Sequence, residues 1–83
     1  MDVRSFMAQK TSETLAQTIA RVHGEARKAN HWLAIEKVGG GAYLISGDDL
    51  TCHADSVEFT EEGGFHAVVP YAQIISIEVR RRG

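Results

Sequence analysis

Adjacent cysteine and histidine residues are the first candidates for chemistry in this 83-residue chain. A thiolate–imidazole pair would require Cys52 and His53 to meet, but neighbouring residues on a strand point to opposite faces. Cys52 alternates in phase with Leu50 and Ala54, so we expect a buried small hydrophobe, as free cysteines commonly are. It is the only cysteine, so no disulfide forms within the chain.

Histidines and carboxylates supply the remaining candidates. His53 and Asp55 share a face of a predicted strand, with His66 nearby. Such groups hold a metal, form a polar cluster around an oligomer's pore, or make up an exposed polar face of the sheet. Metal motifs show tighter spacing and more ligands, so we predict no metal site. The acidic pairs Asp48-Asp49 and Glu61-Glu62 both lie in predicted turns. No base, nucleophile and orienting group come together, so we predict no catalytic residue, no cofactor and no enzyme activity.

One amphipathic helix is predicted over about residues 5–30. Its apolar positions fall on one stripe, formed by Leu15, Ile19, Val22 and Ala26. Thr11 and Ser12 are alternative N-caps for a shorter helix, and Asn30 is the predicted stop. We expect the stripe to pack against a sheet or against a neighbouring subunit.

Five strands are predicted after the helix, within residues 32–80. They cover residues 32–38, 42–46, 50–59, 65–69 and 74–80. A phase slip in the third strand predicts a β-bulge or sharp bend near Asp55-Ser56, and the last strand is expected to carry Ile75, Ile77 and Val79 on one face. Short loops leave no room for crossover helices, so the strands are antiparallel. Five short, bent strands of this kind curl into a small barrel of the SH3, OB or Sm type.

Pro70 interrupts strand pairing, and a short 3₁₀ turn fits the residues that follow it. Such a turn displays Tyr71 or Gln73 at a barrel rim, where an exposed aromatic ring stacks on nucleic-acid bases. The alternative is that Tyr71 caps the core. The run of three basic residues near the C-terminus, Arg80, Arg81 and Arg82, is either a solvated tail or a set of phosphate contacts.

Two segments resemble motifs of the Sm-like family, which includes bacterial Hfq. They are Ala54-Asp55-Ser56-Val57 and Val69-Pro70-Tyr71-Ala72-Gln73-Ile74-Ile75-Ser76. The resemblance implies an N-terminal helix, a five-stranded strongly bent barrel and a homo-oligomeric ring whose edge strands pair across subunits. It also implies binding of RNA or single-stranded nucleic acid near Asp55, Tyr71 and Gln73. Pro70-Tyr71-Ala72 stands where Hfq-like proteins carry Tyr-Lys-His and other Sm proteins carry Arg-Gly.

Composition bounds the remaining possibilities. The net charge of −2 is unlike that of a dedicated nucleic-acid binder. It favours the alternative function, an oligomeric structural or protein-interaction module with no nucleic-acid or catalytic activity. Hydrophobic residues make up 43%, which is ordinary for a globular domain, and we expect one domain over residues 1–83. No stretch approaches the roughly 18 apolar residues of a membrane span, so we expect a cytoplasmic protein with no membrane partner. No small-molecule substrate is identified from the sequence.

Overall fold

A computed structural model describes residues 13–82 of the chain. These residues form the helix α1 (Leu15–Lys28) and the strands β1 (Trp32–Lys37), β2 (Ala42–Ile45), β3 (Leu50–Cys52), β4 (Ser56–Thr60), β5 (His66–Pro70) and β6 (Ile74–Arg80). A 3₁₀ turn over Tyr71–Gln73 links β5 to β6, as predicted. Within residues 13–82, the expected fold class, mainly β with one α-helix, is confirmed. No helix within residues 13–82 has the length and apolar character needed to cross a membrane.

The strands form two three-stranded antiparallel sheets, with the orders β2-β1-β6 and β3-β4-β5. In the first sheet, Leu33 of the central strand lies opposite Ile45 and Val79. In the second sheet, β4 is central and lies between β3 and β5. The described strands do not close into a barrel, so the expected five-stranded barrel is not confirmed.

The run of residues 50–59 is a hairpin and not one bent strand. β3 and β4 pair with each other, with Leu50 opposite Phe59 and Cys52 opposite Val57. The chain reverses over residues 53–55, where the His53 N–H donates to the Ser56 carbonyl at 2.8 Å. Of the two alternatives predicted near Asp55-Ser56, the sharp bend is confirmed and the β-bulge within one strand is wrong. A tight turn produces the same phase slip in the sequence as a bulge, and only the strand pairing distinguishes them.

The helix begins at Leu15, well after residue 5. Thr14 is its N-cap, because the Thr14 hydroxyl accepts from the Gln17 N–H at 3.1 Å and the Gln17 side chain accepts from the Thr14 N–H at 2.9 Å. This reciprocal pair is a capping box. Because Thr14 is extended, a single helix over residues 5–30 is wrong. The expected caps Thr11 and Ser12 lie outside the described residues.

The helix ends in a left-handed residue, as the sequence predicts. Asn30 has φ of 59°, and its N–H donates to the Arg27 carbonyl at 3.1 Å. The His31 N–H donates to the Ala26 carbonyl at 2.8 Å. These two bonds form a Schellman motif, which satisfies carbonyls that the helix end would otherwise leave unpaired.

The apolar stripe of α1 packs on the sheets. Ile19 and Ala26 are buried, and Leu15 and Val22 pack beside them. The buried sheet residues of this core are Leu33, Ile35, Ile45, Val57, Phe59 and Val69. Cys52 packs against the same core as expected, although it is half-buried and not fully buried. Its thiol donates to the Ala16 carbonyl, whereas His53 contacts Glu58.

Arg27 of α1 holds the connection between β2 and β3 in place. Arg27 donates to the Ser46 carbonyl and to the Asp48 carboxylate, each at 2.6 Å. The hydrogen bond and charge of Arg27 hold the pKa of Asp48 below its usual value. The Asp49 carboxylate accepts hydrogen bonds from the backbone N–H and the hydroxyl of Thr60, and the hydroxyl bond is the main cause of its lowered pKa. Both aspartates therefore have structural roles.

The last strand does not present one apolar face. Ile77 packs against the core, but Ile75 is 64% exposed and Val79 is 38% exposed. The pairing of β6 with β1 shifts in register between Glu36 and Lys37. Ile77 and Val79 share a face, since they lie opposite Ile35 and Leu33 in regular register. The shift lies beside Ile75 and turns this residue outward, so the expectation that all three share one face is wrong for Ile75 alone.

Candidate functional site

Two turns from different hairpins meet and form a groove. The turn between β3 and β4 approaches the 3₁₀ turn between β5 and β6, because the Tyr71 N–H donates to the Asp55 carbonyl at 3.0 Å. The groove between them has a volume of about 640 Å³. It is lined by Ala54, Asp55, Ser56, Val68, Pro70, Tyr71 and Ala72. The structure thus brings together Asp55 and Tyr71, two of the residues that the sequence singles out.

Tyr71 both lines the groove and contacts the core. Its side chain is half-buried beside the apolar cluster, and its hydroxyl donates to the His53 carbonyl at 2.7 Å. Burial, and then the charge and hydrogen bonding of Cys52, raise the pKa of Tyr71 above its usual value. The phenol therefore stays neutral and keeps its hydrogen bond at physiological pH. Part of the ring remains available as a groove wall.

Gln73 and the three arginines lie elsewhere. Gln73 is exposed and accepts from the Val38 N–H at 2.9 Å through its backbone carbonyl, but its side chain does not line the groove. Arg80 lies at the opposite end of β6, opposite Trp32 and hydrogen-bonded to Glu78 at 3.2 Å. At about 3.3 Å per residue, six residues of strand separate Arg80 from the groove end of β6 by roughly 20 Å.

A histidine–carboxylate–histidine cluster borders the groove on the outer face of the second sheet. His53 Nε2 lies 2.8 Å from one oxygen of Glu58, and His66 Nε2 lies 2.6 Å from the other. These bonds, with that from His53 first, hold the pKa of Glu58 below its usual value. Glu58 takes the position expected for Asp55, since Asp55 belongs to a turn and not to the strand face.

The cluster satisfies its own hydrogen bonds and does not resemble a metal centre. Each imidazole directs its Nε2 atom at a carboxylate oxygen. Within residues 13–82, no group of three histidine, cysteine or carboxylate side chains is arranged to hold a metal ion. Sequence reasoning missed Glu58, although its alternation with Val57 and Phe59 marks it as an outward residue of β4.

The groove lies in a strongly acidic part of the chain. No lysine or arginine occurs between Lys37 and Arg80. The same stretch contains seven acidic residues, Asp48, Asp49, Asp55, Glu58, Glu61, Glu62 and Glu78. Protein–nucleic acid affinity normally comes from cations near the phosphates, so the groove by itself provides little attraction for a polyanion.

Comparison with known proteins finds no match, since no family model, no curated protein and no solved structure matches this chain.

Proposed function

We propose that this chain is an Sm-like assembly module whose copies join into a closed ring by pairing β5 of one copy with β6 of the next. The observation that carries this proposal is the position of these two strands, each at an outer edge of its sheet. They follow one another in the chain across the Tyr71–Gln73 turn, yet they do not pair with each other.

The contact between the two sheets supports a five-stranded, strongly bent arrangement. Glu62, in the turn between β4 and β5, donates its N–H to the Leu44 carbonyl of β2 at 2.6 Å. β2 and β3 can be counted as two halves of one bent strand. The strand order is then β6, β1, the combined β2–β3 strand, β4 and β5. In that order β5 and β6 are the two ends of a single bent sheet.

Open edges of this kind favour association between copies. An unpaired edge strand exposes N–H and C=O groups that a second chain can pair with. Each edge also carries a large exposed apolar side chain, Val68 of β5 at 57% and Ile75 of β6 at 64%. Pairing β5 with β6 is a heterologous contact, so repetition gives a ring when the rotation between copies closes. Ring closure satisfies both edges of every copy.

Native mass spectrometry and sedimentation velocity test this proposal by counting subunits of 9.1 kDa. We expect a defined oligomer at micromolar concentration, and we expect Val68→Lys to give a folded monomer because lysine on an edge opposes pairing. Thr51→Lys is the matched control, since Thr51 is exposed on β3, which lies across β4 from the proposed β5 interface. A wild-type chain that sediments only as a 9.1 kDa species would rule out the ring.

Binding of RNA or single-stranded nucleic acid beside Tyr71 is a second candidate function. The observation in its favour is the groove itself, where a tyrosine ring lies between small apolar walls at Ala54, Pro70 and Ala72. Bases stack on aromatic rings with about 1–3 kcal/mol each and with little sequence preference. We expect weak binding, because the three arginines lie at the far end of β6.

Native mass spectrometry with oligo-U and oligo-A tests this second function. Tyr71→Ala should weaken binding to every sequence, whereas Tyr71→Phe keeps the ring and loses only the bond to His53. Replacing all three arginines with glutamine should flatten the salt dependence if phosphates reach the end of β6. Absence of binding to any single strand at low salt would leave the assembly function alone.

A further inference from the structure

We infer that the arginines following β6 in one copy bind the acidic β4–β5 turn of the next copy and thereby set the register of strand pairing. Arg81 and Arg82 form one side of this contact, and Glu61 and Glu62 form the other. The inference rests on the β5–β6 pairing proposed above. It gives the basic run a function in assembly and not in nucleic-acid binding.

Antiparallel pairing brings these groups to the same end of the interface. Each residue toward the C-terminal end of β6 is matched by a residue toward the N-terminal end of β5. If the exposed Ile75 lies opposite the exposed Val68, Arg81 falls level with Glu62, since both lie six residues away. β6 has 7 residues and β5 has 5, so the end of β6 extends past the start of β5 toward the turn.

The acidic turn is held in one conformation before a partner arrives. The Glu61 N–H donates to the Phe65 carbonyl at 2.8 Å, and the Glu62 N–H donates to the Leu44 carbonyl at 2.6 Å. Gly63 has φ of 99°, which residues with a Cβ rarely adopt. A turn that is already ordered loses little conformational freedom on binding, which favours association.

Neither side of the contact is neutralised within one copy. None of the ion pairs within residues 13–82 involves Arg81, Arg82, Glu61 or Glu62. No lysine or arginine occurs between Lys37 and Arg80, and Glu62 accepts a hydrogen bond from the neutral Ser46 hydroxyl at 3.0 Å. Complementary charges of this kind act between copies, where they speed encounter and exclude wrong alignments.

The contact also gives the strand pairing a fixed register. Slipping an edge pairing by one residue turns every side chain to the opposite face, yet backbone hydrogen bonds alone do not prevent the slip. Arginine binds carboxylates in a directional, two-pronged geometry. A slipped pairing would move the arginines away from the two glutamates, so the charges select the pairing in which Val68 meets Ile75.

Charge reversal and restoration in the full chain test the inference, with sedimentation velocity at low and high salt. Reversing the turn with Glu61→Arg and Glu62→Arg, or the tail with Arg81→Glu and Arg82→Glu, should each raise the dissociation constant of the oligomer at least about tenfold at low salt. A chain carrying all four substitutions should return to within about threefold of wild type, because the attraction is restored with exchanged signs.

Lys28→Glu, at the exposed end of α1, is the control for a change of net charge and should leave assembly unchanged. Circular dichroism verifies that each variant is folded, and the salt dependence of wild-type assembly gives a second measurement without substitution. Assembly that persists unchanged in both reversal variants would overturn the inference while the ring stands. If Arg81→Glu with Arg82→Glu weakens only RNA binding and leaves assembly unchanged, the inference is likewise overturned and the ring stands. A monomeric wild type would overturn the ring and the inference together.

Discussion

Ile19 in the middle of α1 is completely buried in the apolar core, so its truncation tests how the helix packs on the sheets. Ile19→Ala removes three carbon atoms, worth about 0.8 kcal/mol each. The cavity left behind adds to this loss, and isoleucine-to-alanine changes in cores cost about 2–5 kcal/mol in total. The better helix propensity of alanine returns less than about 0.7 kcal/mol. We expect the free energy of unfolding to fall by about 3 kcal/mol.

Such a loss is a large part of the stability of an 83-residue chain, which at about 0.05–0.15 kcal/mol per residue totals roughly 4–12 kcal/mol. Urea and thermal unfolding monitored by circular dichroism measure it, and the midpoint temperature should fall by roughly 12–24 °C. All variants are compared at one protein concentration, since association stabilises the folded state. Val38→Ala is the control, because Val38 is 60% exposed and its truncation should cost less than about 0.5 kcal/mol.

Ile19→Asp extends the test, since it buries an unpaired charge and should destabilise the chain further. If the free energy of unfolding of Ile19→Ala lies within about 0.5 kcal/mol of the wild-type value, as we expect for Val38→Ala, the apolar stripe of the helix does not stabilise the core. The burial argument would then be refuted for α1, although the sheets would retain their own apolar contacts.

Three further predictions follow from single contacts. Arg27→Ala should lower the free energy of unfolding by roughly 1–2 kcal/mol, because it removes the hydrogen bond to the Ser46 carbonyl. Asp48→Asn should change it little, because the ion pair of Arg27 with Asp48 is exposed. Urea unfolding of the two variants distinguishes these contributions. Asn30→Val should cost about 1–2 kcal/mol because φ is positive there, and Asn30→Gly should be tolerated in the same assay. The lowered folded-state pKa of Glu58 means that its contribution is present above its unfolded pKa and is lost as the pH falls through the folded pKa. Glu58→Gln should therefore make the free energy of unfolding depend less on pH below about pH 5. An unchanged pH dependence in this range would contradict the two histidine bonds.

The candidate site was only partly predictable. The turn after Pro70 and the choice of Tyr71 and Asp55 came from local signals, and the two side chains do line one groove. The link between Glu58 and two histidines was missed, because it depends on three neighbouring segments of one sheet. The distance between the arginines and the groove was missed for the same reason.

By itself, the sequence determined the features that depend on a few neighbouring residues. The helix stripe, the stop at Asn30, the 3₁₀ turn over Tyr71–Gln73 and the bounds of β6 all follow from side-chain periodicity, capping and backbone preference. Only the tertiary structure decided that residues 50–59 reverse into a hairpin, that the strands form two sheets and that Ile75 faces outward. The hairpin depends on pairing between β3 and β4, whereas the position of Ile75 depends on pairing between β1 and β6, which lie far apart in the chain. A bulge and a tight turn leave the same alternation in sequence, so only the hydrogen bonds between the paired strands distinguish them.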